Sequence, residues 1–287
     1  MIRCFSYVGA LFLFAHSAGA WVNGELSIWM DADRVAALQQ LGKKFEQDFG
    51  IKVHVDATEN IPNNFPLAAQ TGKGPDIVVF AHDKVGEWAD GGLIAPIPFS
   101  DSYRSKFSAK AWEAVRHRQE YWGYPISFEV VELIYNKKLV DGPPPAQLSD
   151  LLAFNQRFKQ THPKLSTILW DYDSPYYSWG IFGSAGAYVY AKTQRGYDTH
   201  NIGIATPGAV DGLNQLIHLI QAGVLPRTPS TQGMPKQLMA EGKLAMMISG
   251  PWDWPDLMKN GIDFGVAPTP GVDGKPGKAF IGVSAAY

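Results

Sequence analysis

Four carboxylates fall at or just past the ends of strand-like runs, or within an extended one. Asp31 and Asp33 follow ELSIWM, Asp83 follows DIVVFA, and Glu129 sits inside YWGYPISFEVVELIYN. Aromatic side chains share that edge, because Phe80, Tyr176, Trp179, Trp252 and Trp254 each come at or after a strand-like run. In open α/β folds the carboxyl ends of the strands are where ligands bind. Carboxylates accept hydrogen bonds from hydroxyls, aromatic planes pack against apolar C–H faces, and Arg34 and Lys84 add charged donors. Together these groups suit a sugar. Paired carboxylates also hydrolyse glycosides, and spacing along the chain leaves their separation open. Asp33 and Asp83 have a second use, since each precedes a helix-like run that a carboxylate can cap.

The stretch SGPWDWP, residues 249–255, concentrates the question. It places two tryptophans one residue apart, with an acid between them and a proline on each side, directly after the apolar run KLAMMI. Taken singly, each aromatic on this edge is more often core than site. Interleaved with acids, they form a pattern that a core does not require.

Motifs for other chemistry are absent from the sequence. There is no nucleophile elbow, no phosphate-cradling loop and no pair of histidines at zinc spacing. Gly271, Gly274 and Gly277 mimic a dinucleotide fingerprint, but Pro270 and Pro276 share their loop and no helix opens there. No cofactor is expected, and no catalytic residue is assigned.

The elements that must position these groups alternate from Glu25 onward. ELSIWM reads as a strand, and Val35, Leu38, Leu41 and Phe45 recur at helical spacing until Gly50. IKVHVDA and DIVVFA read as strands, NNFPLAAQ and DKVGEWADGG as short helices, and LIAPI as another strand. This βαβ rhythm predicts an α/β fold with mostly parallel sheets flanked by helices. YWGYPISFEVVELIYN is long and extended with Pro125 inside, so it reads as a segment crossing between domains. After the loop DGPPPAQ come a helix in LSDLLAFNQRFKQ, the strand STILWD and a helix in PYYSWGIFGSAG. GAVDGLNQLIHLIQAG is a periodic helix with Val210, Leu213, Leu216, Ile217 and Ile220 on one face. MPKQLMAEG is a helix, KLAMMI and DFGVAP are strands, and TPGVDGKPGK is a loop leading to the strand-like FIGVSAAY.

Composition narrows the setting. The chain has 287 residues, 46% of them hydrophobic and 18% charged, which is globular, and its net charge of -2 excludes a nucleic-acid footprint. Aromatics reach 13%, with nine Trp and twelve Tyr, an excess that needs a use. Residues 1–20 have the layout of a secretory signal peptide: an early Arg3, an apolar run and the small-residue site Ala18-Gly19-Ala20. The single cysteine, Cys4, precedes that run, so the mature chain holds none. A chain of this size without disulfides relies on its core and fits the periplasm.

The motifs GKGPDIVVFAHDKVGEWADGGLIAPI, GYPISFEVVELIYNKKLV and AMMISGPWDWP, in this order, resemble the extracellular solute-binding proteins of the periplasmic maltose/maltodextrin type. The resemblance runs from about Gly24 to the last residue, with one short gap after Arg34. It implies two α/β lobes joined by a hinge with the ligand cleft between them: residues 21–127, then 128–279, with 280–287 a returning hinge strand. It also implies maltose or maltodextrin as ligand, an inner-membrane ATP-driven importer as partner, and a chemotaxis receptor as a further partner. Carried over position by position, the sugar contacts are Asp31, Asp33, Arg34, Phe80, Ala81, Asp83, Lys84, Glu129, Ser174, Pro175, Tyr176 and Trp252, with Trp254 packing beneath Trp252 or within its lobe.

Five of these depart from the family's enteric pattern. Asp31 stands for an asparagine, Arg34 for a lysine, Phe80 for a tryptophan, Lys84 for an arginine and Ser174 for a glutamate. Phe80 keeps an aromatic surface without an indole donor, and Ser174 loses a carboxylate acceptor. Family members continue beyond the returning hinge strand, so the resemblance implies a chain that ends early. Two alternatives stand beside the sugar receptor. One is a secreted glycoside hydrolase. The other is a receptor for a polyamine, which Arg34 and Lys84 disfavour, or for iron, for which Tyr176-Tyr177 is the only adjacent tyrosine pair.

Overall fold

Alternating side chains in ELSIWM and KVHVDA build β1 (Glu25–Met30) and β2 (Lys52–Ala57), which pair parallel from Glu25–Lys52 to Met30–Ala57. The computed structural model describes residues 24–32, 34–194, 196–231 and 233–287, so the expected signal peptide, residues 1–20, and Asp33 lie outside the described residues. Between the two strands, α1 (Val35–Phe49) ends at Gly50, whose φ of 69° is the left-handed turn that glycine takes at little cost. The helix meets the sheet through Gly42 rather than Leu41. A Cβ on Gly42 would stand 2.9 Å from Val53 Cβ, while Leu41 is 64% exposed. The apolar spacing therefore misplaces Leu41: close approach at Gly42 rotates it outward.

α2 (Ile61–Gln70), β3 (Ile77–Ala81), a 3₁₀ turn at His82–Lys84 and α3 (Val85–Asp90) follow. Val78 and Val79, neighbours in β3, enter different clusters. Val79 joins Ile28, Met30 and Val55, whereas Val78 joins Ile61, Phe65 and Trp88. The sheet is thus covered on both faces. LIAPI forms no strand; Pro96 and Pro98 lack N–H groups, and the Ile97 N–H is spent on the Tyr121 carbonyl. α4 (Asp101–Arg104), α5 (Ala109–Ala114) and the short pair β4 (Arg116–His117) and β5 (Glu120–Tyr121) enclose Trp112 among Phe99, Tyr103, Phe107 and Tyr121.

β6 (Tyr124–Val130) and β7 (Glu132–Asn136) are consecutive but lie in different sheets, with buried Val131 at the crossing. α6 (Asp150–Thr161), β8 (Ser166–Leu169), α7 (Pro175–Ser184), the hairpin β9 (Ala191–Thr193) and β10 (Gly196–Asp198), and α8 (Pro207–Gln221) come next. α9 (Met234–Ala240), β11 (Leu244–Ser249), α10 (Trp254–Lys259), β12 (Phe264–Ala267) and β13 (Ile281–Ala286) complete the order. The first sheet runs β2-β1-β3-β13-β6, and the second β12-β7-β11-β8.

Helical crossovers produce the parallel pairs, β1 with β2 and β3, and β8 with β11. The strands that pass between the sheets pair antiparallel, β13 with β3 and β6, and β7 with β11 and β12. The α/β fold is as expected, and each sheet adds an antiparallel part because these strands arrive without a helix to reverse the chain. Pro125 sits in β6 at the edge of its sheet, where a missing N–H is tolerated, and the register slips opposite it between Ser284 and Ala285.

All six residues of β11 are buried, the mark of a strand covered on both faces. α8 differs from its apolar spacing. Its buried residues are Ala209, Gly212, Leu216 and Leu219, whereas Val210, Leu213 and Ile217 are 40–48% exposed. The small residues let α8 approach α7 closely: a Cβ on Gly212 would meet Ile181 and Phe182 at 3.6 and 3.7 Å.

This packing separates two neighbours in α1. Leu41→Ala should change unfolding free energy by less than about 0.5 kcal/mol, and Gly42→Val should cost about 1–3 kcal/mol by overpacking against Val53. Urea unfolding measures both; a loss of about 2 kcal/mol from Leu41→Ala would contradict the placement.

Candidate functional site

β6, β13 and β3 lie side by side, and their register sets Ser127, Ser284 and Ala81 in one row. Arg34, just past β1, reaches this row. It donates from Nη1 to Ser284 Oγ at 2.7 Å and from Nη2 to Glu129 Oε1 at 3.0 Å. Ser284 Oγ donates to the same Oε1 at 2.6 Å, closing a three-membered network. The Glu129 side chain is only 16% exposed, so these charge-assisted bonds offset the cost of its partial burial.

Opposite them stands Trp252. β11 ends at Ser249, and a 3₁₀ turn at Pro251–Asp253 follows Gly250. A Cβ on Gly250 would lie 2.3 Å from the Trp252 ring, so the indole rests directly on bare backbone. Trp252, Pro251 and Pro255 form one wall of a cleft of about 210 Å³, and Arg34, Ser127, Phe128 and Glu129 form the other. Trp254 goes elsewhere, into its lobe. Its Nε1 donates to Glu132 Oε1 at 2.7 Å, and its ring centroid is 6.2 Å from that of Phe264, within the core beside Leu257. Of the two tryptophans in SGPWDWP, one faces the cleft and the other braces the strand end.

Tyr176 links the two sides. Its ring centroid lies 6.3 Å from Trp252 and 6.5 Å from Phe280, which stacks on Trp179 at 4.6 Å. Burial, then the charges of Glu129, Tyr177 and Asp83, push its phenol up to about 12, so it is a neutral donor at ordinary pH. Pro175 occupies the first turn of α7, and Ser174 precedes it without a side-chain cap. Phe80 is half-buried against Trp88 at 5.9 Å, and Ala81 pairs with Ser284. Lys84 Nζ lies 3.1 Å from Glu87 Oε2, a pair within one helical turn.

Asp83 is exposed in its short turn and makes no cap hydrogen bond, so the capping use is not realised; Ala81 holds the cap position. Asp31 directly follows β1, and Asp33 lies outside the described residues. The structure thus brings Arg34, Glu129, Tyr176 and Trp252 together, with Asp83 close enough to act on the Tyr176 phenol.

Ser284 and Phe280 were not singled out from the sequence. Both lie in or beside FIGVSAAY, an apolar run whose register against β6 emerges only on folding. The adjacent tyrosines diverge: Tyr176 answers to Glu129, whereas the charges nearest Tyr177 include Asp253 and Asp171. Among the described residues, no three His, Cys, Asp or Glu side chains are grouped to hold a metal ion.

A family model described as bacterial extracellular solute-binding protein matches residues 40–287. A maltotriose-binding protein of Pyrococcus abyssi is 28% identical over 261 residues, covering 88% of this chain and 55% of that protein. A maltooligosaccharide ABC transporter solute-binding lipoprotein of Streptococcus pneumoniae is 27% identical over 266 residues, covering 90% and 62%. A galactooligosaccharide-binding protein of Bacillus subtilis is 26% identical over 269 residues, covering 91% and 63%. The chain therefore spans 55–63% of the length of these relatives.

The brace at Trp254 has a pH signature. Burial holds Glu132 above its ordinary carboxylate range, and the Trp254 N–H pulls it part of the way back. A carboxyl raised on folding costs stability as pH climbs from its unfolded pKa through its folded one. Trp254→Phe removes the donor and raises the carboxyl further. Its destabilisation, measured by urea unfolding, should be larger at pH 7 than at pH 4; equal losses would mean the bond does not favour the ionised form.

Proposed function

The chain belongs to the bacterial extracellular solute-binding proteins, and on that premise we propose that it is a non-enzymatic receptor for maltodextrin-type oligosaccharides. The observation that carries this reading is the cleft in which Trp252 faces Arg34 and Glu129. An indole packs on the C–H face of a pyranose, while a guanidinium and a carboxylate bond its hydroxyls. Tyr176 adds a neutral hydroxyl at the seam. Asp31, Asp33, Phe80, Ala81, Asp83, Lys84, Ser174 and Pro175 complete the proposed contact set. Both a donor and an acceptor lie beside an aromatic plane, which suits a neutral polyol better than a polyamine or a ferric complex.

In this reading the first sheet and the second are the cores of two lobes, with β6 and β13 as the hinge. The lobes close on ligand by hinge bending, the motion of periplasmic binding proteins in general. The family is extracellular. The leader 1–20 would deliver the chain to the periplasm, where an ATP-driven importer receives the loaded form. The names of the pneumococcal and archaeal relatives support a malto-oligosaccharide. The Bacillus relative favours a second reading, a galacto-oligosaccharide in the same cleft.

Titration calorimetry with maltotriose and with galactotriose tests both. Binding of maltotriose is the expected result, and Trp252→Ala should weaken it by about 1–3 kcal/mol through loss of a desolvated stacking face. Unchanged affinity in the variant would make Trp252 structural; binding of galactotriose alone would select the second reading.

A further inference from the structure

His82 follows β3 and lines no part of the cleft beside Trp252. β3 ends at Ala81 as the chain enters its 3₁₀ turn, so the ladder between β13 and β3 begins only at Ser284–Ala81. Val283, one residue earlier in β13, is 1% exposed and has no partner strand on that side. Its N–H donates to His82 Nδ1 at 3.1 Å instead. The imidazole supplies the acceptor that β3 ceases to provide, and a buried N–H left without one is costly.

Only one form of the ring can do this. A neutral imidazole that accepts at Nδ1 carries its proton on Nε2, and a second proton turns Nδ1 into a donor facing another donor. Burial holds His82 below the ordinary imidazole range, with Asp83 pulling it partly back. The accepting form is therefore the one present at neutral pH, and it is lost as pH falls through that lowered range. The other titratable groups around the ring are Lys84 in the same turn, Lys110 and Glu113 of α5, Lys192 and Tyr197 of the β9–β10 hairpin, and Glu129 of β6. Lys110, Glu113, Lys192 and Tyr197 share with His82 a hollow of about 300 Å³ that Trp252 does not border, and Lys192 is held to Glu113 at 3.8 Å.

The residue after Val283 is Ser284, whose Oγ donates to Glu129 Oε1 at 2.6 Å and accepts from Arg34 Nη1 at 2.7 Å. A displacement of β13 at Val283 is thus passed to both charged groups of the cleft. We propose that His82 is a positioning residue for the sugar site: as a neutral imidazole it holds β13 so that Ser284 keeps Glu129 and Arg34 in place, and a proton on Nδ1 weakens sugar binding. The inference rests on the sugar reading of the cleft and adds to it a control by acidity. His82 acts only through Val283 and Ser284 and touches no sugar.

Two substitutions separate this role from a merely structural one. His82→Asn keeps an acceptor near the position of Nδ1 but does not titrate, and His82→Ala removes the acceptor at every pH. The measurement is calorimetric titration with maltotriose at pH 7.5 and pH 5, with a thermal melt of each protein at each pH to show that it is folded. Wild-type affinity should fall at least about fivefold between the two, a drop of roughly 1 kcal/mol, while His82→Asn changes less than about twofold. His82→Ala should bind weakly at both. A fall in His82→Asn as steep as that of the wild type, or wild-type affinity in His82→Ala at pH 7.5, overturns the positioning role and leaves the cleft standing. A wild-type protein that binds no maltotriose at either pH overturns the sugar reading, and this inference falls with it.

Discussion

A carboxylate that is mostly withdrawn from water must find partners, and Glu129 finds them in Arg34 and Ser284. Those three side chains come from the end of β1, from β6 and from β13, so a single network ties three strands of one sheet at the point where the chain crosses to the other. Removing either partner of a partly buried ion pair leaves a charge uncompensated, a cost typically greater than the net worth of the pair. The crossing geometry and the polar side of the cleft therefore share one origin. The same Oε1 that stiffens the crossing also fixes the orientation of the carboxylate beside Trp252.

The aromatic side is set by a different constraint. β11 is buried along its whole length, and the chain must turn as it leaves the sheet. Gly250 permits the turn to fold the indole back onto bare backbone, while Trp254 anchors the next turn to Glu132 on the neighbouring β7. Asp253, between them, is pinned by Ser249 and Lys236. Gly250, Asp253 and Trp254 thus have separate tasks, and Trp252 is presented to the cleft while these neighbours hold the turn in place.

Much of this was legible before folding. Local spacing identified β1, β2, β3, α1 and β11, since period and end signals are properties of a few consecutive residues. Trp254 packs within its lobe, one of the two places that the resemblance implies for it. What spacing missed depended on partners distant in sequence. Leu41 and the stripe of Val210, Leu213 and Ile217 look like core by periodicity, yet Gly42 and Gly212 make the close approaches and turn those side chains outward. LIAPI has strand-like composition, but a strand needs a free ladder partner and two prolines deny it one. Ser284 and Phe280 acquire their places only through the register of β13 against β6, which no local pattern encodes.

The central claim is that a pyranose ring stacks on Trp252 while its hydroxyls meet Arg34 and Glu129. A crystal structure of the protein with maltotriose tests this most directly. The account predicts a glucose ring parallel to the Trp252 indole, with sugar hydroxyls within hydrogen-bond distance of the Glu129 carboxylate and the Arg34 guanidinium. Density for the sugar at another surface, with the cleft beside Trp252 holding only water, would contradict it.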